Sequence, residues 1–465
     1  MTVSKKDLLA SLREGKRLSM REELLLIWQL SIPAVLAQIS HIILEYADAS
    51  MVGRLGPAPS AAIGLVSSTT WLFGGLCTAA ATGFTVQVAH RIGAGELVQA
   101  RSIVRHGLAV SLGFALFLSL VAATLSPFLP HWLGGSSQIC PDASVYFLIY
   151  ALGIPFMELN YTAGGMLQCS GNMKTPGMLN ILMCFLNILF NALLIFPSGT
   201  IRLPCTGLSL PGADLGVKGA ALGTVCSEIV CALLMLYFLL AHSEMLHLRQ
   251  REARPVSARE LKQAARIAIP QGFESTVMGS AYVAFTAIVA PLGTIAIAAN
   301  SFSITAEGLC YMPGYGLSLA ATTLIGQCFG ARRYDLTRRM SWLLTFVTMA
   351  VMGCSGALMY CFAPQMIGLL SPDPAIQALG TVILRIEAVA EPFYGASIVI
   401  SGIFRGMGNT LTSSILTLVS MWAIRIPLAA VLRPGLGLRG VWMAMRLELI
   451  LRGLFFLLRL KSGKR

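Results

Sequence analysis

Long apolar runs alternate with short polar segments along the whole chain. An α-helix needs about 20 apolar residues to cross a bilayer, so each run of that length predicts a spanning helix. The pattern therefore predicts an all-α membrane protein with twelve transmembrane helices. Their approximate ranges are 27–52, 61–89, 103–126, 143–169, 177–197, 215–240, 267–290, 295–326, 341–363, 376–404, 411–432 and 438–458.

The first of these helices carries polar residues at membrane depth. Gln38, His41, Glu45 and Asp48 are spaced by three, four and three residues, which places them on one face of a helix. An ionisable group inside a spanning helix costs a few kcal/mol or more unless it meets a partner or a wet cavity. This stripe therefore predicts an ion or substrate pathway.

Composition and charge agree with a membrane location. The chain has 465 residues, of which 55% are hydrophobic and 12% charged, whereas soluble domains carry about 25% charged residues. Most Lys and Arg residues lie on one side of the predicted spans, which places both termini in the cytoplasm by the positive-inside rule. The net charge of +13 is thus a topology signal, and no nucleic-acid partner is expected. Few basic residues lie outside, namely Arg54, Arg202, Lys218, Arg433 and Arg439.

Two cysteines fall in loops that the same rule places outside. Cys140 and Cys205 could form a disulfide there, because disulfides persist in oxidising compartments. The alternative is two free thiols.

The second half of the sequence repeats the first half. Pro33 matches Pro270 and Gly93 matches Gly330, a constant shift of 237 residues, and later 215–219 matches 436–440 at a shift of 221. Each half has six spans, so the halves share one orientation and are predicted to be related by a pseudo-two-fold axis along the membrane normal. The predicted parts are a cytoplasmic segment 1–26, an N-lobe 27–240, a cytoplasmic linker 241–266 and a C-lobe 267–460.

The acids are not part of the repeat. Glu45 and Asp48 match Tyr282 and Phe285, so the fold itself does not require these carboxylates. The second lobe carries acids and aromatic residues at other positions, which suits a cationic aromatic guest. The alternative is that some acids, such as Glu387, pair with basic residues in the spans, such as Arg385 or Arg425. The substrate-binding candidates are Gln38, Glu274, Asn300, Glu307, Glu391 and Tyr394.

Pro33 and Pro270 lie inside the first and seventh predicted helices. A proline inside a helix removes one backbone hydrogen bond, so each position can act as a hinge or as a plain kink.

These features together resemble the multidrug and toxic compound extrusion (MATE) transporters, nearer their DinF-like bacterial branch. The resemblance covers the whole chain and implies a bacterial cytoplasmic-membrane antiporter with two six-helix lobes. Such a protein exports organic cations in exchange for H⁺ or Na⁺ by alternating access. The motifs that carry it are DASMVGRLG at 48–56, AGGMLQCSGNMKTP at 163–176, LNILFNALLIF at 186–196, GVKGAALGT at 216–224 and SGIFRGMGNT at 401–410.

The resemblance also implies a coupling-ion site in the first lobe. Asp48 matches the acid of the first span in the family, and Asn187 and Thr224 match two further residues of its cation pocket. The chain departs from the family at Asn191, where some members carry a second aspartate. Glu45 could replace that charge, and so could Glu228, one turn beyond Thr224.

The coupling ion stays open between Na⁺ and H⁺. Na⁺ prefers several hard oxygen ligands, which Asp48, Asn187, Asn191 and Thr224 could provide, while a single buried carboxylate equally suits a proton. His41 could relay protons to Asp48 or could be a neutral, hydrogen-bonded histidine.

Two other functions compete with antiport. A flippase for a lipid-linked oligosaccharide, from the same superfamily, would need a strongly cationic cavity. An intramembrane enzyme could use Glu45 and His41, but the sequence contains no nucleotide-binding or hydrolase motif. We therefore expect a monomeric transporter in the lipid bilayer that is not an enzyme, uses no cofactor besides its coupling ion and carries drug-like organic cations.

Overall fold

A computed structural model describes residues 8, 9, 11, 18–198, 212–248 and 257–463. The described chain is helical, and its only β-type pairing is an isolated bridge between Pro197 and Ala213. Cys205 lies outside the described residues, so the disulfide with Cys140 stays a prediction.

Helices α1 to α7 belong to the first half of the chain. They are α1 Met20–Gly53, α2 Pro57–Gly93, α3 Leu97–Leu125, α4 Leu129–Trp132, α5 Cys140–Cys169, α6 Lys174–Ile195 and α7 Gly216–Tyr237. Helices α8 to α14 belong to the second half. They are α8 Ala258–Val289, α9 Thr294–Gly330, α10 Tyr334–Leu370, α11 Pro374–Ala388, α12 Glu391–Gly406, α13 Thr410–Val419 and α14 Ile426–Ser462. Two π-helical turns, Phe238–His242 and Ser420–Arg425, follow α7 and α13.

The backbone repeats with the sequence. Helix α9 has the same bounds as α2 when the 237-residue shift is applied. The left-handed backbone positions repeat as well, because Gly171 (φ 93°) corresponds to Gly408 (φ 76°), and Gly95 (φ 77°) to Arg332 (φ 57°). Gly95 and Arg332 therefore adopt the same turn, although only glycine does so without steric cost.

Nine helical segments in the described part of the chain are long and apolar enough to cross a membrane. One of them, Thr410–Ser462, contains two of the predicted spans, which are separated by a break at Gly437 (φ 59°). The predicted spans 295–326 and 376–404 are not among the nine. Helix α9 is long enough but less apolar, and 376–404 is interrupted between α11 and α12. The nine segments therefore contain ten of the predicted spans, and these two bring the number to twelve.

The chain divides into two compact units. Unit 1 comprises Met1–Ile39, Ala89–Gly95 and Phe273–Arg465, and unit 2 comprises Ser40–Val88 and Glu96–Gly272. Helices α1, α2 and α8 each contribute residues to both units. The lobe boundaries predicted from the sequence stay a prediction.

Unit 2 is built on close packing between α3 and α5, between α5 and α7, and between α6 and α7. Its main apolar core lies around Phe73 and Phe147, whose rings meet edge to face with centroids 6.0 Å apart. A smaller cluster joins Val52, Ile195 and Ala220 near the end of α1. This cluster fixes the part of α1 that carries Asp48 against α6 and α7.

Unit 1 is built on α9, α10, α12 and α14. Trp442 is fully buried in its core, and its indole N–H donates to Asn300 Oδ1 at 2.9 Å. A buried indole needs such an acceptor, so Asn300 ties α9 to α14.

Two glycines allow the ends of α2 and α9 to cross within unit 1. A Cβ added to Gly93 would overlap the carbonyl oxygen of Gln327 and lie 2.8 Å from its carbon. A Cβ added to Gly330 would overlap the carbonyl oxygen of His90 and lie 2.6 Å from its Cα. Both pairs are related by the 237-residue shift, so the crossing is reciprocal and requires glycine on both sides.

Candidate functional site

Four of the predicted ion ligands lie together in unit 2. Asn191 of α6 donates through Nδ2 to Asp48 Oδ1 of α1 at 2.7 Å and to Asn187 Oδ1, one turn earlier, also at 2.7 Å. Asn187 in turn donates to Thr224 Oγ1 of α7 at 3.1 Å. We call these four residues the Asp48 pocket. They form one hydrogen-bonded network across three helices.

The Asp48 pocket keeps an unpaired acceptor. Asn187 and Asn191 are both 1% exposed, and Asn191 Oδ1 has no hydrogen-bond partner among the described residues. Buried amide oxygens are normally paired, so an unpaired one beside a carboxylate marks a place where a cation or a protonated group can bind. The pocket offers carboxylate, amide and hydroxyl oxygens, the types of ligand that hard cations prefer.

A glycine on α7 leaves room for this arrangement. A Cβ added to Gly223 would overlap Asn191 Oδ1 and lie 3.1 Å from the backbone nitrogen of Asn191. Four residues earlier, a Cβ on Gly219 would meet the backbone of Leu194. Both glycines allow α6 and α7 to approach closely, but only Gly223 faces the Asp48 pocket.

Glu45 and His41 lie on α1 before the Asp48 pocket and face each other. His41 Nδ1 is 3.7 Å from Glu45 Oε1, and the two side chains are 47% and 44% exposed. Glu45 influences Asp48 through its charge but makes no hydrogen bond within the Asp48 pocket. Gln38 belongs to the part of α1 that is counted in unit 1. The relay role of His41 stays a prediction.

A small cavity lies inside unit 1. Its volume is about 30 Å³, room for about two water molecules, and far below the several hundred Å³ that a drug-sized ligand occupies. Tyr311 and Tyr394 meet there at a centroid distance of 5.7 Å. Its polar and aromatic lining includes Tyr282, Glu307, Tyr311, Tyr394, Arg425 and Arg452.

The two arginines of this cavity share one carboxylate. Arg425 donates to Glu448 Oε2 from Nε at 2.9 Å and from Nη2 at 2.6 Å, and Arg452 Nε donates to Glu448 Oε1 at 2.7 Å. Ser420 also donates to Glu448. Glu448 therefore compensates one of these two positive charges inside the protein.

Glu387 and Glu391 are both buried, and in the described part of the chain no carboxylate oxygen of either residue has a hydrogen-bond partner. Pairing of Glu387 with Arg385 does not occur, because Arg385 Nε donates to the carbonyl of Tyr360 at 3.2 Å instead. The alternative partner, Arg425, hydrogen-bonds to Glu448. Unpaired buried carboxyl groups are costly as anions, so both positions suit a proton or a bound cation.

The remaining predicted residues are dispersed. Glu274 accepts a hydrogen bond from Ser414 Oγ at 2.8 Å in a second small pocket of unit 1. Asn300 accepts a hydrogen bond from the indole of Trp442. Pro33 and Pro270 lie inside α1 and α8. The structure thus brings the Asp48 pocket together and places Glu307 and Tyr394 at one cavity. The substrate and hinge roles stay predictions.

Glu158 on α5 is a buried acid that was not among the predicted site residues. It is fully buried in unit 2. The sequence does contain a feature that could have identified Glu158, because an acid inside the apolar run 143–169 is as unusual as the acids in the first span.

Comparison with known proteins identifies the family. The model of the MatE family matches residues 33–193 and 270–431, more than half of the chain. The chain belongs to the MatE family. The two matched stretches begin at Pro33 and Pro270, the first pair of the internal repeat, so the family model recognises each half separately.

Similar proteins extend over nearly the full length. A probable multidrug resistance protein NorM of Thermotoga maritima is 27% identical over 456 residues, which is 96% of this chain and 93% of the relative. The multidrug resistance protein PmpM of Pseudomonas aeruginosa is 25% identical and covers 97% and 94% of the two chains.

Solved structures support the fold. A crystal structure of a MATE protein in the straight conformation has a TM-score of 0.86 and 22% identity, with 99% of both chains covered. The predicted all-α membrane fold with two six-helix halves is confirmed by this likeness. The chain is therefore a multi-pass membrane transporter and not an enzyme.

Proposed function

We propose that this MatE-family protein is a secondary antiporter that exports drug-like organic cations in exchange for H⁺ or Na⁺. The names of its relatives, multidrug resistance proteins, support the substrate class. We further propose that it acts as a monomer in the bacterial cytoplasmic membrane with both termini in the cytoplasm. The basic residues on one side of the predicted spans support that orientation.

The observation that supports coupling most directly is the Asp48 pocket. A carboxylate, two amides and a hydroxyl from three helices are joined in one network, and one amide oxygen in it is unpaired. Arrival of a cation or a proton at Asp48 changes which of these oxygens can accept hydrogen bonds. Ion binding would therefore change how α1 is held against α6 and α7.

The two possible ions make different demands on the pocket. Na⁺ would use the Asp48 carboxylate together with the oxygens of Asn187, Asn191 and Thr224. A proton would need only the carboxylate, and Asp48 is the only carboxylate in the hydrogen-bonded network. The single negative charge favours H⁺ as the first ion to test.

The drug would bind where acids and aromatic rings face a space that can enlarge. Glu307, Tyr311 and Tyr394 line the cavity of unit 1 and offer charge pairing and cation–π contact. That cavity is too small for a drug as it stands, so transport requires it to open. A flippase for a lipid-linked oligosaccharide would need a strongly cationic cavity, whereas Glu448 compensates one of the two arginine charges there and the acid Glu307 also lines the cavity.

The test is efflux of ethidium, a fluorescent organic cation, from lipid vesicles that contain the protein. Either a pH gradient or a Na⁺ gradient is imposed, and wild type is compared with Asp48→Asn. Asparagine keeps the shape of the side chain and can still accept the hydrogen bond from Asn191, so only the charge is removed. We expect the substitution to reduce gradient-driven efflux at least tenfold.

Asp142→Asn is the matched control, because it makes the same Asp→Asn change at an exposed acid of unit 2 that lies outside the network. Its efflux is expected to stay within about twofold of wild type. The coupling role would be refuted if efflux did not depend on either gradient, or if gradient-driven efflux in Asp48→Asn equalled that of wild type. Transport of a labelled lipid-linked oligosaccharide but not of ethidium would favour the flippase.

A further inference from the structure

A second acid in unit 2 is buried, and no cationic side chain of the described residues is among the groups that act on it. Glu158 lies in the middle of α5 and is 0% exposed. Its Oε1 accepts a hydrogen bond from Thr162 Oγ1, one turn later on the same helix, at 2.9 Å. Its Oε2 is equally buried and has no hydrogen-bond partner among the described residues.

The groups around this carboxyl come from three helices. They are Thr162 of α5, Ser111 of α3 and Cys77 of α2, whose polar side chains lie close enough to interact with the carboxyl group. Ser111 is 1% exposed and its hydroxyl oxygen also has no hydrogen-bond partner within the described chain. None of the groups that act on Glu158 is a lysine, an arginine or a histidine.

This environment suits a neutral carboxylic acid better than a carboxylate. An isolated charge in a low-dielectric interior costs several kcal/mol, and no nearby cation offsets that cost. A proton on Oε2 removes the charge and adds one O–H donor. The Ser111 hydroxyl is a suitable acceptor for that donor, so one proton would satisfy both unpaired oxygens.

Glu158 is separate from the Asp48 pocket, but its helix α5 is hydrogen-bonded to α7, one of the three helices of that pocket. Two residues later on α5, Asn160 Nδ2 donates to Glu228 Oε2 of α7 at 3.0 Å. Helix α7 also carries Thr224 of the Asp48 pocket. Two titratable side chains, Cys77 and Tyr161, interact electrostatically with Glu158. Tyr161 also interacts electrostatically with Glu228.

We propose that Glu158 is a second proton-binding site of unit 2, occupied and vacated as the transporter works. The proton arrives from water, forms an O–H bond on Oε2 and later returns to water, so no other reactant is needed. This proposal rests on the proposed antiport function. A purely structural carboxylic acid would keep its proton permanently and could be replaced by glutamine without effect.

The experiment is infrared difference spectroscopy of the full-length protein in lipid vesicles, recorded between acidic and alkaline pH. A carboxylic acid that gains or loses its proton produces a C=O band that is distinct from the amide bands. We expect the wild-type band to contain a component that Glu158→Gln lacks, while the components from Asp48 and the other carboxyl groups remain in both spectra. Asp142→Asn, which removes an exposed acid from the first turn of the same helix, is the control and is expected to keep the band.

Ser111→Ala provides a second, independent readout. It leaves Glu158 in place but removes the proposed acceptor, so the band is expected to move to higher frequency because the protonated group loses a hydrogen bond. This variant keeps the test decisive if Glu158→Gln does not fold. A band unchanged in position in Ser111→Ala would contradict the proposed geometry.

Transport is measured on the same samples. We expect ethidium efflux driven by a pH gradient to fall at least fivefold in Glu158→Gln and to be unchanged in Asp142→Asn. An identical pH-dependent band in wild type and Glu158→Gln would overturn the proposal, and so would a Glu158 band that does not respond to pH. If wild type does not export ethidium at all, antiport of this cation fails, while the infrared titration of Glu158 can still be read.

Discussion

Substitution of Gly223 by alanine perturbs the Asp48 pocket without changing any of its residues. The new methyl group would overlap Asn191 Oδ1. Because that oxygen belongs to a side chain, rotation of the amide can relieve the overlap, and the backbone of α6 does not need to move. Rotation breaks the two 2.7 Å hydrogen bonds that Asn191 donates to Asp48 and Asn187.

The size of the effect follows from these two bonds. A hydrogen bond to a charged group contributes about 1.5–3 kcal/mol and a neutral one about 0.5–1.5 kcal/mol, so the ordered network loses about 2–4.5 kcal/mol. A loss of 2 kcal/mol lowers the population of the ordered pocket about 30-fold. Gradient-driven efflux is therefore expected to fall at least tenfold in Gly223→Ala.

Two further glycines serve as matched controls. Gly219→Ala places a methyl group 2.6 Å from the carbonyl carbon of Leu194. The backbone of Leu194 cannot rotate away as a side chain can, so this overpacking is expected to cost about 1–3 kcal/mol of stability. Gly113→Ala adds a methyl group on α3 with nothing within 4 Å and is expected to be neutral or stabilising by up to about 1 kcal/mol.

The assays are ethidium efflux in vesicles and thermal unfolding in detergent. Gly223→Ala is expected to lose coupled efflux, whereas Gly219→Ala is expected to lose a similar amount of stability but to keep coupled efflux per folded molecule, because the hydrogen bonds of the Asp48 pocket remain. Normal coupled efflux in Gly223→Ala would refute the role assigned to Asn191. Equal loss of coupling in both variants at equal stability would show that helix packing, and not the pocket, controls transport.

Three further substitutions test the packing of unit 1. Arg332→Gly, at the left-handed turn where the first half has glycine, is expected to raise the free energy of unfolding by about 1 kcal/mol, as a higher melting temperature would show. Glu448→Gln leaves two buried arginines without their carboxylate and is expected to cost about 3–5 kcal/mol; a melting temperature equal to that of wild type would contradict the shared ion pair. Trp442→Phe leaves the Asn300 carbonyl oxygen unpaired and is expected to cost about 1–3 kcal/mol, measured by thermal unfolding with Trp422→Phe as the control.

The sequence was sufficient for the elements because hydropathy and the repeat are local patterns. Most predicted spans fall within the observed helices, and the 237-residue shift holds at the level of helix bounds and of φ angles. The interruption between α11 and α12 and the π-helical turns were not predicted. An apolar run looks the same whether its backbone hydrogen bonds follow an α or a π register.

The site was predicted less completely. Asp48, Asn187, Asn191 and Thr224 were selected by family resemblance, and the structure joins them by hydrogen bonds. The shared carboxylate of Glu448 could not be predicted, because its partner Arg425 is 23 residues away and pairing across helices depends on how those helices pack. The hydrogen bond from Trp442 to Asn300 could not be predicted for the same reason, since sequence does not show which polar residue will lie beside a buried indole.

The crossing of α2 and α9 has a consequence for how its energy can be measured. In a symmetric homodimer, one substitution always alters both copies of a contact, so its two halves cannot be separated. Here Gly93 and Gly330 occupy equivalent positions but are encoded independently, so each half can be altered alone. A double-mutant cycle of Gly93→Ala and Gly330→Ala thus yields the cooperativity between two equivalent half-contacts within a single polypeptide.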